Sequence, residues 1–179
     1  KVLVHYSLEL KRGDTFELVS PPLANELALA VYEEAIKAGA HITLTQVSEE
    51  MRELFLKYAS DEQLDYVSPI DRMLVETFDT YLGIFAPENR RHLAGIPPER
   101  ISRRQRARTE LMKISMERSA RKEHRWCITT YPNNANAQDA DMSLADYTEF
   151  VYGAGMLNED DPVAFWKNEE EKQEHLIDW

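Results

Sequence analysis

The chain has 179 residues, of which 43% are hydrophobic and 30% are charged, a composition typical of one globular domain rather than of a disordered chain. Its formal net charge of −11 argues against nucleic acid or an anionic membrane as a partner, since both are negatively charged. No apolar run approaches the roughly 20 residues of a membrane-spanning helix, and the first residues do not have the pattern of a secretion signal.

Four short runs rich in apolar and β-branched residues predict strands. They cover residues 15–19, 41–47, 81–86 and 125–131. Segments with helical periodicity separate these runs, so strand and helix alternate along the chain. Such alternation favours parallel pairing, because a parallel connection needs a crossover long enough to hold a helix. We therefore predict an α/β fold: a Rossmann-like parallel sheet of about four or more strands, flanked by helices on both faces, with a helical C-terminal tail.

Capping residues predict where the helices begin and end. Ser60 and Gln63 have the spacing of a capping box, in which each side chain pairs with a backbone N–H group of the other residue. Pro97-Pro98 begins one long helix that ends near Lys122. The remaining helices are predicted to begin after Pro21-Pro22, with a stop at Gly39, and at Ser48, Ser68-Pro69, Ser143 and Asp161-Pro162.

The residue types that carry chemistry do not assemble into a catalytic centre. The turn after the first strand, residues 20–25, lacks the glycines of a dinucleotide-binding loop. No two histidines have the helical spacing that directs a pair of imidazoles to one metal ion. Cys127 lies in a predicted buried strand, where a cysteine usually acts as a small hydrophobe. We therefore assign no catalytic, cofactor-binding or metal-binding residue to this chain. The histidines considered are His5, His41, His92, His124 and His175.

Cys127 is also the only cysteine, so no disulfide can form within the chain. Proteins of reducing compartments use cysteine in this way, whereas small secreted domains are often rich in disulfides. We therefore expect a cytoplasmic protein.

Basic residues are concentrated in the middle of the chain. Residues 90–125 contain 12 basic and 4 acidic residues, a local charge of +8. Two interpretations stay open for the arginines of the long helix: they pair with acidic neighbours, or they form an interface that docks on another domain or subunit. Docking predicts that Arg104→Ala has little effect on the melting temperature of this chain alone. The interface candidates are Arg103, Arg104, Arg106 and Arg108.

Several segments resemble one known family. They are YSLELKRGDTFEL at 6–18, AVYEEAIKAGAHITL at 30–44, FLKYASDEQLDYV at 55–67, RRQRA at 103–107, RWCITTYPNNANAQDADMSLADYTEFVYGA at 125–154 and DPVAFW at 161–166. Together they are similar to the N-terminal domain of the thermophilic metallo-aminopeptidase family, which includes aminopeptidases T and S and related leucyl aminopeptidases. The resemblance covers almost the whole chain in the same order.

The resemblance implies an exopeptidase that removes N-terminal residues from peptides with two divalent metal ions, such as zinc or cobalt. In that family a C-terminal domain supplies the metal ligands, and no residue of this chain matches their motifs. The resemblance also implies a Rossmann-like layer without a dinucleotide site. It further implies a homodimer that encloses the active sites and gives the arginine helix a surface to dock on.

Features at both ends of the chain suggest that this domain is part of a longer protein. Lys1 falls within what would be the first helix, and the last predicted helix carries an apolar stripe of Val163, Trp166, Leu176 and Ile177 before it closes at Trp179. A stripe of this kind usually packs on a partner. We therefore expect residues 1–179 to be a single α/β domain, the N-terminal domain of a longer two-domain enzyme, that is inactive alone.

The resemblance to the family and the arginine-rich helix are consistent with two different functions. In the first, this domain shapes and covers the substrate cavity of a two-metal aminopeptidase and contributes to its assembly surface. In the alternative, the chain is a non-enzymatic α/β module that docks an acidic partner through its arginine-rich helix. A downstream domain rich in His and Glu would favour the first function.

Overall fold

A computed structural model describes residues 1–177 of the chain. Its centre is a four-stranded, fully parallel sheet with the strand order β2-β1-β3-β4, which confirms the predicted α/β fold. Each strand ends within one residue of its predicted limit. The strands are β1 (Thr15–Ser20), β2 (His41–Gln46), β3 (Thr80–Phe85) and β4 (Arg125–Thr130).

Helices fill every connection between strands, and those after β4 form the C-terminal tail. A short π-helical segment (Leu3–Ser7) precedes β1, and one turn of 3₁₀-helix (Pro22–Ala24) follows it. Within the described residues, no helix combines the length and the apolar character needed to cross a bilayer. The α-helices are α1 (Asn25–Ala38), α2 (Glu49–Tyr58), α3 (Asp61–Asp65), α4 (Pro69–Thr77), α5 (Pro98–Ala107), α6 (Thr109–Ala120), α7 (Asn134–Asp139), α8 (Leu144–Ala154) and α9 (Pro162–Ile177).

The main hydrophobic core lies on one face of the sheet. Phe16 and Leu18 of β1 and Leu82 of β3 point to this face and are fully buried, because alternate residues of a strand face the same side. The π-helical segment and α1 cover them with a second layer of apolar side chains. Those side chains are Val4, Leu8, Ala28, Val31 and Ala35.

The other face of the sheet is covered less tightly. Helices α4 and α6 lie over it, but neither α4 nor α5 buries any residue. On β4, Trp126 is 42% exposed and Ile128 is 52% exposed, although both point to this face. Open space therefore separates this face from the helices above it.

A second, smaller core holds α5 in place beside the sheet. Leu56, Ala59, Leu64 and Ile96 are buried together and connect α2, α3 and the segment before α5. Arg100 of α5 donates from Nε to the carbonyl oxygen of Leu56, over 2.6 Å, and also reaches the carbonyl of Ala59. These contacts hold α5, and with it the arginines on that helix, in a fixed position beside the sheet.

The predicted long helix from Pro97-Pro98 to Lys122 is wrong, because the structure divides it into α5 and α6. Arg108 separates them with φ −94° and ψ 1°, outside ordinary helical geometry.

The short helix α7 was not predicted; it begins where the Asn133 side chain accepts a hydrogen bond from the Asn136 N–H. The predicted caps at Ser48, Ser60, Ser68 and Ser143 are confirmed.

Helix α9 packs back on the start of the chain. Trp166 donates from Nε1 to the carbonyl oxygen of Gly155 at 2.9 Å and stacks on Tyr6, with ring centroids 6.2 Å apart. One member of the predicted apolar stripe therefore has a partner within the chain. The Ile177 side chain and Trp179 lie outside the described residues.

Candidate functional site

The strand order places a crevice at the carboxyl ends of β1 and β3. The chain leaves β1 towards β2 on one side, while β3 lies on the other side of β1. At such a reversal of strand order, the loops after the two strands separate and leave room for a ligand. Here a cleft of about 960 Å³ opens between the ends of β1, β2 and β3 and helices α2, α5 and α6. We call it the outer cleft.

The walls of the outer cleft are mainly apolar. Strand β3, the residue after β2 and helices α2 and α6 contribute Phe85, Val47, Met51, Phe55 and Met112. Met51 lines this space and is 74% exposed. Contiguous exposed apolar side chains of this kind usually mark a binding surface.

Charged side chains stand around this apolar surface. Glu49, in the first turn of α2, accepts a hydrogen bond from the Asn89 N–H at 3.1 Å, and its Oε2 lies 3.8 Å from Nδ1 of His92. Nδ1 of His92 lies 2.8 Å from the carbonyl oxygen of Asn89. Arg52 of α2 also lines the cleft and, within residues 1–177, its side chain forms no hydrogen bond or ion pair.

A second space, which we call the inner cavity, adjoins the outer cleft. Its volume is about 510 Å³, and it lies between the loosely covered sheet face and helices α4 and α6. Val19, Val47, Tyr81, Arg108 and Met112 line both spaces, so the two adjoin. The inner cavity holds the ionisable groups that lie deepest in this face.

Glu17 and Tyr81 are neighbours in register on β1 and β3 and both point into the inner cavity. Burial raises the pKa of Glu17, because its charged form loses water, and Asp71 acts in the same direction; a hydrogen bond from Thr45 at 3.3 Å and the charge of Arg108 oppose both. Burial also raises the pKa of the Tyr81 phenol, and the carboxyl of Glu17 adds to the effect. A carboxyl and a phenol therefore lie side by side in a space that Asp71, Arg108 and His124 also line.

Gly83 makes room for the Tyr81 side chain. A Cβ atom at position 83 would lie 2.8 Å from the Tyr81 hydroxyl oxygen and 3.3 Å from the nearest ring carbons. That distance to the oxygen is shorter than real contacts allow. The phenol can therefore lie along β3 towards the outer cleft only because this position has no side chain.

The four predicted interface arginines lie in different surroundings. Arg103 pairs with Asp61 and Asp65 of α3, and Arg108 pairs with Asp71 of α4. These contacts correspond to the interpretation in which the arginines pair with acidic neighbours of their own chain. Arg106 is exposed and, among the described residues, its side chain has no hydrogen bond or ion pair.

Arg104 has a different environment from the other three. It donates to the carbonyl oxygens of Leu64 and Tyr66 at the end of α3, and its guanidinium lies 5.3 Å from the centre of the Phe55 ring. Burial lowers the pKa of Arg104, and the neighbouring charge of Arg108 contributes. Arg104 and Arg108 both line the outer cleft, whereas Arg103 and Arg106 do not.

The histidines are spread over the molecule. His5 lies 3.2 Å from Glu34, His41 and His175 are exposed, and His124 is buried against the carbonyl oxygen of Phe78. Within residues 1–177, no three His, Cys, Asp or Glu side chains form a group that could hold a metal ion. Cys127 is half-buried on the side of the main core, and burial raises the pKa of its thiol.

Neither the motifs nor the periodicity of the sequence indicated Glu17, Tyr81 or Arg52 as site residues. The sequence does contain one indication of Glu17, which interrupts the apolar run TFELV. A carboxylate in a half-buried strand position costs free energy unless it has a partner, so such a residue often has a specific role. No sequence signal indicated the gap between the sheet and its helices, on which both spaces depend.

Comparisons with known proteins agree with this architecture. The family model for thermophilic metalloproteases (M29) matches residues 1–179. The solved structure of wild-type AmpT from Thermus thermophilus is similar to the chain, with a TM-score of 0.70 and 21% sequence identity. The match covers 93% of this chain and 43% of that one, so the chain spans less than half the length of that protein. No curated protein matches the chain.

Proposed function

Because the chain belongs to the thermophilic metalloprotease family M29, we propose that it forms the N-terminal domain of a longer metal-dependent aminopeptidase. Such an enzyme removes N-terminal residues from peptides. The observation that carries this proposal is the family match over all 179 residues. The resemblance of the segments around residues 55–67 and 125–154 to metallo-aminopeptidases supports the finer assignment to an aminopeptidase.

We assign the metal ions to a part of the protein that residues 1–177 do not include. The family implies divalent metal, and two ions are the number that the resemblance implies. The described residues offer no group of His, Cys, Asp or Glu side chains to hold one. This domain therefore serves the enzyme by position and shape rather than by coordinating metal.

The role we propose for this domain is to cover the substrate cavity and to provide an assembly surface. Two features support it. The carboxyl ends of the strands present a large apolar surface in the outer cleft, and the AmpT structure extends over more than twice the length matched by this chain. We further propose that the complete enzyme is a cytoplasmic homodimer, with peptides as substrates.

The alternative, a module that docks an acidic partner through the arginine helix, gains no support from the contacts of that helix. Arg103 and Arg108 already pair with aspartates of the chain, and Arg104 is bound to two carbonyl oxygens. An acidic partner would have to replace those contacts. Only Arg106 is exposed and available for a new ion pair.

A peptidase assay tests the proposal. The chain 1–179 and the full-length protein encoded by its gene are purified in parallel and incubated with a leucine chromogenic amide and with zinc, cobalt or manganese. We expect metal-dependent, chelator-sensitive release by the full-length protein and none by residues 1–179. Release by the chain that survives repurification would contradict the assignment of the metal centre. An inactive full-length protein with metal bound would contradict the aminopeptidase assignment itself.

A further inference from the structure

One edge of the sheet is open to a further strand. β2 is the outermost strand on this side and, among residues 1–177, pairs only with β1. The His41 N–H donates inwards, to the carbonyl oxygen of Asp14 at 2.8 Å. Successive residues of a strand direct their backbone N–H and C=O groups to opposite sides, so the alternate residues of β2 direct both groups outwards. These residues are Ile42, Leu44 and Gln46.

β2 lacks the features that usually protect an edge strand. Natural edge strands carry charged side chains, proline or a bulge, which prevent another strand from pairing with them. The sequence of β2, HITLTQ, contains no Lys, Arg, Asp, Glu or Pro. Its register with β1 is unbroken from His41 to Gln46, so it has no bulge. The outward backbone groups of β2 are therefore a suitable template for another strand.

Helix α1 adds an apolar surface beside this edge. Leu29, Tyr32 and Ile36 are exposed and lie on one flank of the helix, at spacings of three and four residues. The opposite flank faces the π-helical segment, where Glu34 contacts His5, and that segment also contacts β4. The three apolar side chains therefore lie on the flank of α1 that is nearer to β2.

Leu44 extends this apolar surface onto the sheet. Its register partner on β1 is Leu18, which is fully buried in the main core, so Leu44 points to the same face of the sheet as α1. Leu44 is nevertheless exposed, because the described residues place no strand beyond β2. We call the outward backbone of β2 and the four apolar side chains beside it the edge surface. Those side chains are Leu29, Tyr32, Ile36 and Leu44.

The two ends of β2 carry opposite charges. At its amino end, Arg12 is exposed beside Gly39, and within residues 1–177 its guanidinium forms no hydrogen bond or ion pair. After its carboxyl end, Glu50 is exposed in the first turn of α2 and accepts a hydrogen bond from Ser48, but has no ion-pair partner among those residues. Antiparallel pairing places the amino end of one strand beside the carboxyl end of the next. The edge surface is therefore complementary in charge to a second copy of itself, whereas parallel pairing would place like charges together.

We propose that the edge surface binds a second copy of this chain, with the two β2 strands antiparallel about a twofold axis so that the two sheets become one. Leu44 then lies opposite its own counterpart, and the apolar flanks of the two α1 helices pack against each other across the axis. Arg12 meets Glu50 of the second copy at both ends of the paired strands, as an isologous interface requires. The surface rests on the homodimer proposed above only for its use in the complete enzyme, because it needs neither metal nor peptidase activity.

Sedimentation of the chain 1–179 over a range of concentrations tests this surface. We expect a monomer–dimer equilibrium, which Leu44→Lys should shift towards the monomer because it places two ammonium groups next to each other at the axis. The dissociation constant should rise roughly a hundredfold or more, since like charges directly opposite each other disfavour strand pairing. Thr130→Lys is the matched control, because Thr130 is also exposed but lies on β4 at the other edge of the sheet. It should leave the equilibrium unchanged.

A charge exchange tests the antiparallel orientation. Arg12→Glu and Glu50→Arg each place like charges together at both ends of the pair, so either change alone should weaken the dimer about threefold to tenfold at low salt. The double variant exchanges the two charges and should restore the affinity. Arg106→Glu changes the net charge as Arg12→Glu does, but on the exposed side of α5, and should have no such effect.

Three results would overturn the edge surface: a chain that stays monomeric at millimolar concentration, dissociation by Thr130→Lys but not by Leu44→Lys, or a double variant as weak as its parents. Circular dichroism checks that each variant is folded, and if Leu44→Lys fails to fold, the charge exchange still decides. A monomeric chain would leave the peptidase proposal intact, because that proposal is tested by the activity of the full-length protein.

Discussion

His124 shows how a single residue can make the stability of the fold depend on pH. It is 5% exposed at the start of β4, and its Nδ1 lies 3.2 Å from the carbonyl oxygen of Phe78. Burial is the main cause that lowers its pKa, and the charges of Arg118 and Arg125 act in the same direction, against the hydrogen bond to Phe78 and the charge of Asp79. The imidazole is therefore neutral in the folded chain at neutral pH.

The sign of the pH effect follows from that lowered pKa. As the pH falls below about 6.5, the usual value for an unfolded histidine, the unfolded chain takes up a proton before the folded chain does. The contribution of His124 to stability is therefore fully present above that pH and is lost as the pH falls towards the pKa of the folded state. His124→Asn removes the titration while keeping an N–H donor for Phe78.

We therefore expect the stability advantage of the natural chain over His124→Asn to shrink between pH 7 and pH 5, about the range in which histidine titrates. Urea unfolding across that range measures it. His41→Asn controls for the effect of the substitution itself, because His41 also begins a strand but is exposed. A constant difference for both variants would show that His124 is not held neutral.

Arg104 is a second residue whose structural position sets a clear expectation. Its bonds to the carbonyl oxygens of Leu64 and Tyr66 satisfy the end of α3, and its stacking on Phe55 connects α5 to α2. Arg104→Ala should lower the free energy of unfolding of this chain by about 1–3 kcal/mol, since it removes both hydrogen bonds and leaves the part-buried carbonyl of Leu64 without this donor. This differs from the small effect that docking predicts.

Arg106→Ala provides the comparison, because Arg106 is exposed on the same helix. Its effect should stay within about 0.5 kcal/mol, as for most surface substitutions. Chemical denaturation of both variants measures the difference. Similar small effects for both would favour the interpretation in which Arg104 acts mainly on a docking partner.

At the scale of the elements, two glycines have opposite roles. Gly39 ends α1 with φ +85°, and a Cβ atom there would also lie 3.1 Å from Cγ of Arg12. Gly153 lies inside α8 with open space around it. Gly39→Ala should destabilise the chain by about 1–2 kcal/mol, through left-handed backbone strain and crowding.

Gly153→Ala should instead stabilise the chain by about 0.5–1 kcal/mol, because alanine loses less backbone entropy in a helix. Thermal or urea unfolding of the two variants distinguishes them by sign. Destabilisation by both would mean that α8 has a neighbour at Gly153 that the described residues do not contain.

Local chemistry explains which elements the sequence could predict. Ser60 and Gln63 are three residues apart and cap α3 without help from distant residues, so the prediction succeeded. The break at Arg108 could not be predicted in this way, because no glycine or proline marks it. There the guanidinium pairs with Asp71 of α4, 37 residues away, and tertiary contact prevails over helical propensity.

The candidate site was harder to predict for a related reason. Glu17, Tyr81 and Arg52 are far apart in sequence, and only the parallel register of β1 and β3 brings the first two together. The spaces they line depend on how far α4 and α6 stand from the sheet. The distance between these helices and the sheet depends on how whole elements pack together. The periodicity of a single segment contains no information about that distance.

Over the whole molecule, the two faces of the sheet should differ in local stability. Phe16, Leu18 and Leu82 are fully buried against α1 and the π-helical segment, whereas α4 and α5 bury no residue. Amides of β1 and β3 should therefore exchange with solvent only on global unfolding. Amides of α4 should exchange earlier through local opening.

Hydrogen exchange followed by mass spectrometry measures both rates. Equal protection of α4 and β1 in the free chain would mean that the helices over the cavity are held as firmly as the main core.

The close approach of Tyr81 to Gly83 also has an evolutionary consequence. A methyl group at position 83 would collide with the phenol, so the two positions cannot vary independently. Among homologous chains, those with tyrosine at position 81 should keep glycine at 83, and those with a larger residue at 83 should have a smaller one at 81. Covariation of two positions so close in sequence would record this steric contact between neighbours on one face of β3.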